Sequence, residues 1–157
     1  MPAAVNKGFT LIETMIVIVI AAILFVAVMP TLSSMPANGL ADRIHRDLEN
    51  DLRYARGRAS TAGVIINFVP LNDWQNGWQI KDNDDNIIRE RKLDIPTGAV
   101  SSTDLDSSKP LVFDPNGRTS AEVSITIKVP ECTGLRQRTL MINRIGQILL
   151  TGEAKCP

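Results

Sequence analysis

FTLIETMIVIVIAAILFVAVM, running from Phe9 to Met29, decides the architecture of this chain. Glu13 is the only charged side chain in it. At ~1.5 Å of rise per residue the run makes a helix roughly 30 Å long, the thickness of a bilayer's hydrocarbon core. Its placement matters as much as its length. A secretory signal carries its small-residue cleavage site after the apolar stretch. Here Lys7-Gly8 stands before the stretch, and no A-x-A site follows Met29. A carboxylate inside such a helix costs roughly 2.5–3.5 kcal/mol on insertion scales, so Glu13 asks for a partner.

Outward from this segment the chain changes character. Pro30 closes the apolar run, and Pro36 and Gly39 follow, residues that kink or break a helix. Leu40, Ile44, Leu48, Leu52, Ala55 and Ala59 then recur at helical spacing, which predicts an amphipathic helix with one apolar stripe. Its polar face carries Asp42, Arg43, Arg46, Asp47, Glu49, Arg53 and Arg56, and His45 among them reads as a solvated side chain. Ala62-Gly63 supplies the stop signal.

Beyond Gly63 the pattern is that of short strands. Val64–Val69, Gly77–Lys81 and Ile87–Leu93 are predicted strands, the last two joined through Asp82-Asn83-Asp84-Asp85-Asn86 as a hairpin. Leu111–Phe113 precedes the turn Asp114-Pro115-Asn116-Gly117. Val123, Ile125, Ile127 and Val129 alternate with polar residues, as on a half-buried strand. Leu140–Ile142 and Gln147–Leu150 flank Arg144-Ile145-Gly146, and Thr97–Lys109 reads as a long loop. The expected fold is α+β: a long N-terminal helix packed on one mostly antiparallel sheet of five to seven short strands. The segments are 9–29, the apolar half of the helix; 30–63, its amphipathic half; and 64–157, the sheet domain.

Composition excludes more than it selects. Net charge is zero, so the whole-chain balance favours no polyanionic partner. There is one histidine, no G-x-S-x-G elbow, and neither a P-loop nor a G-x-G-x-x-G. No enzyme activity and no cofactor are expected. The acidic run Asp82-Asn83-Asp84-Asp85 lacks the spaced ligands and distal glutamate of a calcium loop and reads as a polar turn. Cys132 and Cys156 form an even pair in a segment placed outside the cytoplasm, which reads first as a disulfide worth ~3 kcal/mol, with two separate thiols as the other reading. Trp74 and Trp78 flank Asn76-Gly77; at least one ring is expected in the core, and an exposed one would suit a subunit contact.

Lys7-Gly8-Phe9-Thr10-Leu11-Ile12-Glu13 resembles the class III leader of type IV pilins and type II secretion pseudopilins. The resemblance implies that residues 1–8 are a leader removed by a prepilin peptidase between Gly8 and Phe9. It also implies N-methylation of Phe9, and Glu13 pairing with the new N-terminal amine of a neighbouring subunit to set the axial register. In those pilins a proline near Pro30 kinks or locally melts the helix. The implied location is the bacterial inner membrane, crossed once with the C-terminal domain in the periplasm, and then a filament or its tip.

The remainder is similar to the GspH/FimT family of minor pilins and pseudopilins. The matching residues are Tyr54-Ala55-Arg56, Gly77-Trp78, Phe113-Asp114-Pro115-Asn116-Gly117, Leu140-Met141-Ile142-Asn143, Gly146-Gln147-Ile148 and Cys156. The implied function is that of a minor pilin, assembling with other pilin and minor pilin subunits in priming or at the tip. Two alternatives stay open: a minor pseudopilin of a type II secretion system, and a pilin that binds DNA for uptake. FimT-type pilins carry a basic G-R-x-R sequence where this chain reads Gly146-Gln147-Ile148-Leu149. Arg136, Arg138 and Arg144 are the remaining candidates for DNA contacts, and so few charges give weak, salt-sensitive affinity.

Overall fold

The computed structural model describes residues 11–33 and 35–156. The chain divides into two compact units, Met1–Met35 and Pro36–Pro157. In the first, α1 (Leu11–Ser33) is a helix whose side chains are all exposed from Leu11 to Phe25. Pro30 lies within its bounds. Gly8 and Phe9 lie outside the described residues. Among those described, no helix is long and apolar enough to cross a membrane, and the segment 9–29 expected to do so extends beyond them.

The second unit begins at Pro36 within α2 (Met35–Ala62), in its first turn, where a missing N–H removes no helical bond. The predicted stripe is buried at Ile44, Leu48, Leu52, Ala55 and Ala59, joined by Ala41 and, unexpectedly, Asp51; Leu40 is half-buried. At the other end Gly63 takes a left-handed conformation (φ 66°) and donates to Ala59 O at 2.9 Å, so the helix stops as expected.

Eight strands follow: β1 (Ile66–Pro70), β2 (Gly77–Asp82), β3 (Ile87–Lys92), β4 (Val100–Ser101), β5 (Leu111–Phe113), β6 (Val123–Ile127), β7 (Leu135–Ile142) and β8 (Ile148–Lys155). They form two sheets of four, ordered β3-β2-β1-β5 and β4-β6-β7-β8, and every pairing is antiparallel. The α+β class holds, but the single expected sheet is two. Local patterning predicts strands and hairpins; whether β5 returns to β1 or continues to β6 depends on pairings distant in sequence. The expected loop Thr97–Lys109 contains β4 and an Asp106–Lys109 bridge, and buries Ala99, Val100 and Leu105.

Alternation explains the layers. Strand β1 buries Ile66 and Phe68, and β6 buries Val123, Ile125 and Ile127. One cluster gathers these side chains with the α2 stripe, so helix and both sheets share a core. Pro70 is tolerated in an interior strand because β5 pairs only with Ile66–Phe68, leaving no ladder bond for its absent N–H.

Candidate functional site

The structure organises the C-terminal unit around three seams between α2 and the sheets, two closed by an acid on the helix and one by an arginine. Asp51 lies on the apolar stripe and is fully buried. Its carboxylate accepts from Trp78 Nε1 at 2.9 Å, Arg89 Nη1 at 2.9 Å, and Arg91 Nε at 3.1 Å and Nη2 at 3.3 Å. Burial pushes this carboxyl up, but the bonds from Arg91, Arg89 and Trp78 outweigh it and hold the pKa below the usual value. Arg89 also lies over the Tyr54 ring, 3.8 Å from its centroid. The first sheet is thereby keyed to the helix.

A second seam uses Asp42. It accepts from Arg138 Nη1 at 2.8 Å and Arg136 Nε at 3.2 Å, both on β7. Burial opposes ionisation of Asp42, and the two arginines overcome it, lowering its pKa. Arg138 also meets Glu153 on β8 at 3.4 Å. Two of the three arginines considered for DNA are thus committed to carboxylates within the fold, while Arg144 is exposed in the β7–β8 turn. Cys132 and Cys156 are joined, with Cα atoms 5.5 Å apart. The Thr133-Gly134 turn beside the bond is fastened to the start of α2, where Asn38 Oδ1 accepts from Thr133 N at 2.8 Å.

The third seam joins two turns. Arg56 of α2 donates from Nε to Gly117 O at 3.2 Å and from Nη2 to Ile145 O at 3.1 Å. Thr119 N donates to Arg144 O at 3.1 Å. Gly146 (φ 76°) sits so close that a Cβ there would stand 1.9 Å from Gly117 O. Arg56, Asp114–Gly117 and Asn143–Gly146, scattered through the sequence, form one contact.

Other sequence candidates find structural roles. Both tryptophans are buried, in a cluster with Phe68 whose ring centroids are 6.0–6.5 Å apart, so neither offers an exposed ring for a subunit contact. His45 is not solvated as expected. It is half-buried with Nε2 enclosed, and its pKa is lowered by burial and then by Arg138. Asp82 closes its own turn, accepting at Oδ1 from Asp84 N and Asn86 N, both at 2.9 Å. Among the described residues no group of three or more His, Cys, Asp or Glu is placed to hold a metal ion. What the sequence reading missed was Asp51. The available signal was a carboxylate within an apolar stripe, answered by Arg89 and Arg91 two residues apart on one strand.

A helix bearing exposed apolar side chains, followed by a helix-backed pair of antiparallel sheets, describes a pilin-like subunit. A family model described as type II transport protein GspH matches residues 45–146, and one described as a prokaryotic N-terminal methylation motif matches residues 4–29. The chain belongs to the GspH family. Two crystal structures of the type IV minor pilin FimU from Pseudomonas aeruginosa (strain PAO1) are similar to it, each with a TM-score of 0.55. They are 24% and 25% identical in sequence, cover 76% and 74% of this chain, and are themselves covered to 93% and 96%. No curated protein matches the chain at a significant level.

Proposed function

We propose that this chain is a minor type IV pilin, a structural subunit that acts in pilus priming or at the tip. The observation that carries this reading is the methylation motif at 4–29 leading into a GspH domain at 45–146. The likeness to FimU, a type IV minor pilin, supports the pilus in particular. In this reading a prepilin peptidase cuts between Gly8 and Phe9 and Phe9 is methylated. The segment 9–29 spans the inner membrane and then joins the filament core, Glu13 sets the register and Pro30 kinks the helix. The sheet domain, 64–157, faces the periplasm.

The second reading, a minor pseudopilin of type II secretion, is favoured by the family description itself. Deletion separates the two. Loss of piliation and twitching with normal exoprotein release supports the pilus, and the reverse supports the pseudopilus. DNA uptake has less behind it, because Arg136 and Arg138 are engaged by Asp42 and Arg144 alone of the three is exposed. Titrating the chain with duplex DNA at low salt tests it, and no binding there ends it.

A further inference from the structure

The second sheet ends at β8, and no strand of the described residues pairs with its outer edge. Only Ile148 of its eight residues is buried. An open edge presents unpaired N–H and C=O groups, and soluble proteins blunt such edges with charge, proline or a covering element. The first half of β8, Ile148-Leu149-Leu150-Thr151, carries none of these. Leu149 is 40% exposed and Leu150 47%, and Ile145 in the preceding turn is 51% exposed.

Beside this edge lies a cleft of about 350 Å³ lined by Arg53, Arg56, Gly57, Ser60, Asn116 and Ile148. Ile148, the first residue of β8, also lines the cleft. The Arg56 guanidinium is held in place by its bonds from Nε and Nη2 to the two turns. Arg53 reaches Glu49 through Nε at 3.1 Å and Nη2 at 2.7 Å, an exposed pair of small worth that another carboxylate can replace. Neither set of bonds uses Nη1. Paired guanidinium groups in a cleft suit a carboxylate, the ion they bind with two parallel bonds.

The geometry points to a docking groove for an extended, acidic and apolar segment of a neighbouring subunit. The segment adds to the outer edge of β8 through main-chain hydrogen bonds. Its alternate side chains supply a carboxylate to Arg53 and Arg56 and apolar groups to Ile148 and Leu150. Charge fixes the kind of occupant: the cleft is cationic and the first half of the edge, 148–151, is uncharged. The inference rests on the pilin reading only for the source of the segment.

The test uses the full chain in detergent micelles and a labelled peptide, TVTETVT, followed by fluorescence anisotropy and amide hydrogen exchange. Saturable binding is expected, with slowed exchange over 148–155. The dissociation constant should rise at least tenfold for TVTKTVT and for the Arg53→Gln chain, whose exposed substitution shifts the melting temperature only slightly. No binding, equal binding of the two peptides, or unaltered exchange over 148–155 would overturn the groove. Displacement of the peptide by duplex DNA with the same Arg53 dependence would also overturn it, assigning the cleft to phosphate. The titration reads the groove alone and the deletion phenotypes read the subunit role alone, so either can fail without the other.

Discussion

Arg91 Nε lies 3.1 Å from Oδ2 of Asp51, a carboxylate with no exposure to solvent at the seam between α2 and the first sheet. Arg89 and Trp78 complete the arrangement. Removing the acid takes from Arg89 its carboxylate and leaves Arg91 only Asp47, 3.9 Å away. Breaking a fully buried pair by deleting one partner costs about 3–5 kcal/mol, and the partial exposure of Arg89 and Arg91 puts the cost here at the low end of that range. Asp51→Asn should therefore lower the midpoint of urea unfolding of the oxidised chain by a corresponding amount. A loss below about 1 kcal/mol would mean that the network contributes little beyond ordinary surface pairs.

The same carboxylate gives a pH dependence. Its folded pKa lies below the ordinary value of 3.8, as does that of Asp42. Groups depressed on folding contribute stability that is present above the unfolded value and lost as pH falls through the folded one. Stability of the native chain should fall as pH drops below about 4, and the fall should be shallower in Asp51→Asn. Thermal melts from pH 7 to pH 2 measure it. Parallel curves for the two chains would remove Asp51 from the acid response.

Gly146 tests whether the two turns are truly interlocked. A Cβ at this position would lie 1.9 Å from Gly117 O, and the backbone is left-handed (φ 76°). Gly146→Ala must move one turn off the other and loosen both Arg56 bonds. Strain of this kind costs on the order of 1–3 kcal/mol. Gly98→Ala is the control: its φ of 76° is the same and nothing lies within 4 Å, so backbone strain acts there without a clash. The larger loss of melting temperature should be at Gly146.

The Cys132–Cys156 bond closes a segment of sequence separation 24 that includes the strands of the β7–β8 hairpin. Constraint of the unfolded chain by such a loop is worth ~3 kcal/mol. The Cys132→Ser/Cys156→Ser chain should unfold at correspondingly lower denaturant. It should also exchange amides faster around Gly134, whose carbonyl accepts from Cys156 N at 2.9 Å. Equal stability of the two chains would show that Asn38–Thr133 and Asp42–Arg136 hold this end without the bond.

How far the sequence could be read follows from the range over which each signal acts. The α2 stripe, the Gly63 stop, the β2–β3 hairpin and the alternation of β6 are local patterns, and each matches the observed element to within a few residues. The division into two sheets is not local: β1 pairs with β5, some 45 residues onward, and β4 with β6. Nor is Asp51 legible from α2 by itself, since a single acid in a stripe reads as a boundary of the polar face. It becomes legible only once β3 is placed against the helix. Arg56, Asp114–Gly117 and Gly146, resemblances in the sequence, turn out to be parts of one seam, while Tyr54 lies under Arg89.

Glu13 carries the remaining prediction, and its logic is electrostatic. The residue lies in the first turn of α1, with apolar neighbours Leu11, Ile12, Met15 and Ile16. In an apolar bundle a carboxylate is costly unless an opposite charge meets it, and strong attraction in low dielectric then favours one relative position of the two groups. By resemblance the partner is the amine released when cleavage exposes Phe9. Glu13→Ala and Glu13→Gln should both leave membrane insertion and processing intact, since the change makes the helix more apolar and lies outside Lys7-Gly8-Phe9. Both should sharply reduce recovery of the chain in sheared filaments. Glu13→Gln separates charge from size: if it assembles as the native chain does, hydrogen bonding without charge is sufficient, and the register role assigned to the ion pair is wrong.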